Sequence, residues 1–93
     1  TRLGRFGWKA NQPSLRQQNA AAANGDMGIT TSLFPIEPGE TTASGLPDMT
    51  DEELRTMTVF TQTMGVPALR NNSDPTARLG AQMFVKAECQ SCH

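Results

Sequence analysis

The stretch DPTARLGAQMFVKAECQSCH, residues 74–93, decides how this chain is read. Asp74 has the short acceptor side chain of a helix N-cap. Pro75 suits the first helical position, where its missing N–H leaves no bond unmade. Leu79, Met83 and Phe84 then recur at helical spacing and give one apolar face, while Gly80 permits close approach of another backbone. The helix runs straight into Cys89-Gln90-Ser91-Cys92-His93, a CxxCH motif. That spacing is the covalent attachment signature of c-type haem. Two thiols so placed each form a thioether with a vinyl group of one porphyrin, and the adjacent imidazole is positioned to ligate the iron.

Other chemistries share parts of this motif. A redox dithiol usually sits near a βαβ pattern, and none is visible. Half a zinc site needs two further ligands, and His93 is the chain's one histidine. A disulfide across two residues closes a very small loop and adds little stability. Haem attachment is therefore the favoured reading: Cys89 and Cys92 bind haem c covalently, and His93 is the metal ligand. Such attachment takes place outside the bacterial cytoplasmic membrane, so a periplasmic or extracytoplasmic location is expected.

Composition narrows the field further. Ninety-three residues suffice for one small domain, but only 37 % are hydrophobic and 5 % aromatic, too few large side chains for a self-sufficient core without haem or a partner chain. A formal charge of −1 provides no basic footprint for nucleic acid or anionic lipid. No apolar run reaches transmembrane length, so membrane insertion is not expected. The chain has neither an initiator methionine nor a signal-peptide pattern and is read as an internal segment.

Upstream, Thr1 to Asn11 is a glycine-punctuated, irregular lead-in. Pro13 falls in the first turn of a helix over Ser14–Ala23, ending at Asn24-Gly25 as a left-handed cap; its apolar face is thin, mostly Leu15 and alanines. Gly28 to Pro47 holds prolines and glycines that disfavour regular structure and is read as a surface connection, partly mobile. Thr50-Asp51-Glu52-Glu53 is a capping box, and the capping role accounts for the acidic run. Leu54, Met57, Phe60 and Met64 follow at helical spacing and predict one buried stripe, ended by Gly65 and Pro67.

Arg5 to Pro35, RFGWKANQPSLRQQNAAAANGDMGITTSLFP, closely resembles the middle of the di-haem oxidoreductases, a family of bacterial peroxidases. LRTMTVFTQTMGVPALRN, followed by ARLGAQMFVKAECQSCH, is similar to the approach to that family's second haem. More remotely, the same order resembles the di-haem cytochrome c peroxidases and MauG-like enzymes. The resemblance implies an enzyme with two c-type haems in two cytochrome-like lobes, one of which meets a peroxide-type oxidant. Carried over, Cys89 and Cys92 anchor the second haem and His93 is its proximal ligand. Trp8 resembles the tryptophan between the haems, a candidate electron relay; packing the lobes together is the commoner use of such an aromatic and the favoured one.

The resulting expectation is a mainly α, cytochrome c-like and incomplete fold. Residues 1–73 are an inter-haem helical and loop segment, and residues 74–93 start a cytochrome c-like haem domain. The sequence departs from the family pattern in having no first CxxCH and nothing after His93. A piece of a longer enzyme is thus expected, inactive alone, with a second haem nearby. The remainder of the same protein, or another cytochrome chain, then completes the haem pocket. Two rivals stay open: an electron-transfer cytochrome subunit of a larger assembly, and a metal-binding CxxCH fragment.

Among other side chains, Met27 lies in a turn from which a thioether can reach an iron, although gap-filling is the usual role of methionine. Met57, Met64 and Met83 are expected to be core. Arg5, Lys9 and Arg16 are candidates to neutralise haem propionates, or are solvated surface charges.

Overall fold

The structure, a computed structural model, describes residues 2–91. Its elements are three α-helices, α1 (Leu15–Met27), α2 (Asp51–Thr63) and α3 (Pro75–Lys86), and a 3-10 turn over Cys89–Ser91. No strand occurs among the described residues, so the mainly α expectation holds.

The lead-in is more ordered than its glycines suggest. Phe6 and Gln12 pair as an isolated antiparallel bridge. The backbone N–H groups of Arg5 and Phe6 donate to the Gln12 carbonyl at 2.8 and 3.0 Å, and Gln12 returns a bond to Phe6 at 3.1 Å. A tight loop results, turning through Gly7 at φ 84° and Ala10 at φ 47°. Gly4 is required by space: a Cβ there would lie 1.9 Å from the Ala10 carbonyl oxygen. Alternation of side chains carries no trace of a pairing this short, which explains why the sequence showed no hairpin.

Ser14, rather than Pro13, sets the start of α1, its Oγ accepting from the Gln17 N–H at 3.2 Å. The helix also runs through Asn24-Gly25 to Met27. Gly28, at φ 72°, is the left-handed cap, and the N–H groups of Gly28 and Ile29 close on the Asn24 and Ala23 carbonyls at 2.9 and 3.0 Å. Two glycines compete for the cap, and the one whose following residue reaches back to close the last turn prevails. Asn24 is left free to donate through Nδ2 to the Ile36 carbonyl at 3.0 Å.

The capping box of α2 forms as expected. Thr50 Oγ1 accepts from Glu53 N–H at 3.2 Å, and Glu53 Oε2 accepts from Thr50 N–H at 2.8 Å. The buried stripe, however, is displaced. Leu54 and Thr58 are buried and Met57 and Thr61 half-buried, whereas Phe60 and Met64 are 65 % and 61 % exposed. The reason lies across the interface. α1 offers Ala20 and Ala23, both buried, and Asn19, whose Nδ2 donates to Thr61 Oγ1 at 3.0 Å. A surface of alanines and one amide takes small and hydroxylic residues, and leaves the bulky ones outside.

The two ends of residues 28–49 are tied to each other beside this helix pair. Asp48 Oδ2 accepts from the N–H and hydroxyl of Thr30 at 2.9 and 2.7 Å, and Met49 N–H donates to the Thr30 carbonyl at 3.0 Å. Thr30 and Thr31 are buried; from Glu37 to Leu46 the chain is exposed, as a surface connection should be. Asp51 does more than cap: it binds Arg16 at 2.7 Å and accepts from Ser32 Oγ at 2.6 Å, joining α1, the loop and α2.

Among the described elements, α3 meets neither α1 nor α2 and touches the 3-10 turn that follows it. Its capping is as expected, with Asp74 accepting from Thr76 N–H at 2.7 Å and Pro75 at the helix start. Leu79, Met83 and Phe84 are all substantially exposed. The radius of gyration, 17.4 Å, exceeds the ~12 Å of a compact chain this long.

Candidate haem-attachment site

α3 ends at Ala87, whose N–H bonds to the Met83 carbonyl at 2.9 Å. Glu88 then takes a left-handed conformation, φ 58°, and its own N–H donates to the Val85 carbonyl at 2.9 Å. Past it the chain re-enters a tight turn, closed by Ser91 N–H on the Glu88 carbonyl at 3.0 Å. Cys89 is the first residue of that turn. Its thiol is free of any disulfide and faces the Ala87 carbonyl at 3.8 Å. Every residue from 62 to 91 is exposed except Cys89, which is partly buried. Cys92 and His93 lie outside the described residues.

Both features suit a porphyrin anchor. The thiol is unpaired and held on a turn separate from the helix. The apolar residues Met83, Phe84 and Val85 precede it by one to two turns and are exposed, as is fitting beside a large apolar macrocycle. The chemistry of the donor set agrees: two thiols and one imidazole at CxxCH spacing are the residues that thioether formation and iron ligation require. Among the described residues no three His, Cys, Asp or Glu side chains cluster as a metal site elsewhere.

Trp8 sits at the tip of the loop closed by Phe6 and Gln12 and is 91 % exposed. It borders an open cleft of about 410 Å³ with Lys9, Gln12, Gln18, Ala22 and Asp26. No residue of α3 borders that cleft, so the fold does not bring Trp8 and Cys89 together within these elements. Met27 is the last residue of α1, not a turn residue, and is 62 % exposed. Met83, expected in a core, is 49 % exposed. Of the three basic candidates, Arg16 pairs with Asp51 at 2.7 Å, and Lys9 borders the Trp8 cleft. The left-handed Glu88 was missed, because glutamate carries no local signal for that conformation.

The sequence model of the family described as "Di-haem oxidoreductase, putative peroxidase" matches residues 1–93, the whole of the sequence. The chain belongs to the di-haem oxidoreductase family. Membership makes haem the implied cofactor and oxidation–reduction the implied class of chemistry. No curated protein and no solved structure matches the chain. No described helix is long and apolar enough to cross a membrane.

Proposed function

We propose that this chain carries a covalent c-type haem on Cys89 and Cys92, with His93 as its iron ligand, within a peroxidase-like di-haem oxidoreductase. The observation that carries the reading is the CxxCH motif, begun at the end of a capped helix, in a chain matched by the family along its whole sequence. In attachment, each thiol adds across a vinyl double bond: sulfur bonds one carbon, the proton goes to the other, and no external electron is consumed. Once bound, the haem supplies reversible one-electron iron chemistry. The chain's own residues anchor it, orient its ring and ligate the metal.

The remainder of the protein, or another cytochrome chain, completes the pocket and brings a second haem close. Residues 74–93 thereby open a cytochrome c-like unit, and residues 1–73 lie between the haems. The exposed indole of Trp8 suits packing against that neighbouring lobe better than a relay, because it touches little of its own chain. Location outside the cytoplasmic membrane follows from the attachment chemistry.

The test is the intact mass of the denatured chain after expression with a c-type maturation apparatus, together with its reduced pyridine spectrum. A gain of one haem with a c-type spectrum is the expected result. A bare chain mass with no haem band overturns the reading, and favours a metal site completed by a partner.

A further inference from the structure

We propose that Glu88 is a positioning residue of the haem-anchoring turn, acting through its left-handed backbone and not through its carboxylate. The inference rests on the haem reading of Cys89. It begins from what an uninterrupted helix would do. Along α3, Leu79, Met83 and Phe84 mark the apolar face. Continued at the helical repeat, Cys89 would stand one turn beyond Val85, at the edge of the apolar residues and away from Leu79 and Met83. The thiol would then share the exposure of its helix neighbours, Val85 being 58 % exposed.

The structure avoids this. Ala87 ends the helix, and Glu88 at φ 58° turns the chain back on itself. Cys89 becomes the one partly buried residue between 62 and 91. The returning turn also touches the end of α3. The Gln90 amide faces the Phe84 and Val85 carbonyls and, with its nitrogen turned towards them, donates to both at 3.2 Å. A left-handed residue thus separates two right-handed turns and aims the first thiol. Glycine adopts that conformation freely and asparagine readily, whereas a β-branched residue is strongly opposed to it. The Glu88 carboxylate makes no hydrogen bond or ion pair with any described residue.

The experiment compares wild-type chain with Glu88→Gly, Glu88→Asn, Glu88→Gln and Glu88→Val. Covalent haem per chain is read by intact mass. The rate of Cys89 alkylation in haem-free chain is read by peptide mapping, with far-UV circular dichroism to confirm that the helices persist. Glycine, asparagine and glutamine variants are expected to load haem as wild type does. Valine is expected to load about ten-fold less and to expose Cys89 to faster alkylation. Equal loading and alkylation across all four variants, with wild type loaded, overturns the positioning role and leaves the haem reading standing. Loss in Glu88→Gln as deep as in Glu88→Val assigns the effect to the carboxylate and also overturns it. Wild-type chain without covalent haem overturns the haem reading itself, and this inference with it.

Discussion

Leu54 is fully buried where α2 meets α1, and among the described residues Thr31 is likewise taken wholly out of water. Shielding one leucine contributes ~1.5–3 kcal/mol, a large share of what so small a core supplies. Leu54→Ala should therefore lower the unfolding free energy by about 2–5 kcal/mol in denaturant titration followed by circular dichroism. Phe60→Ala removes a larger side chain, yet one 65 % exposed, and should change stability by less than about 0.5 kcal/mol. The reverse ranking would mean that α2 packs through Phe60 and Met64, the stripe its spacing suggested. Sequence periodicity placed Leu54 inside correctly. It misassigned Phe60 because spacing identifies a helical face but not what stands opposite.

At the level of elements, hydroxyl–carboxylate pairs fix both ends of the long connection and the start of α2. Backbone and then side-chain hydrogen bonds from Thr50 hold the Glu53 carboxyl below its ordinary range. The Thr30 side chain and then its backbone do the same for Asp48. A carboxyl lowered by folding stabilises the native state above its unfolded pKa, and that stability is lost as pH falls through the folded value. Thermal unfolding should accordingly become easier as pH drops below about 4. In Thr50→Ala the pH dependence should flatten, with stability reduced at neutral pH and the deficit narrowing in acid. An unchanged pH slope in that variant would remove Glu53 from the account. The capping box was legible because its partners are three residues apart; Thr30 and Asp48 are 18 apart and share no local pattern.

Over the whole molecule, the described elements divide between a packed pair, α1 with α2, and an α3 that packs on neither. Residues 64–70 between them are exposed and bear no regular structure. Brief trypsin treatment should cut first after Arg70, ahead of Arg55 and Arg78, which helical hydrogen bonds protect. Mass spectrometry of the earliest fragments checks this, and initial cleavage after Arg55 would contradict the packing of α2 on α1. If the proposed haem attaches and its pocket is completed, the same cut should slow, since Leu79, Met83 and Phe84 would then leave water.

The sequence by itself determined the helical class and the caps at Thr50 and Asp74, and it carries the CxxCH spacing, because each depends on residues within a few positions of one another. The resemblance in Arg5–Pro35 and around the motif supplied the family, since a long ordered match carries more than any spacing rule. Only the tertiary structure decided that Thr58 and not Phe60 faces α1, that Arg16 pairs with Asp51, and that α1 passes Gly25 to cap at Gly28. These outcomes turn on which side chains stand across an interface or at the far end of a loop. Distance along the chain does not encode that; packing and hydrogen-bond satisfaction do.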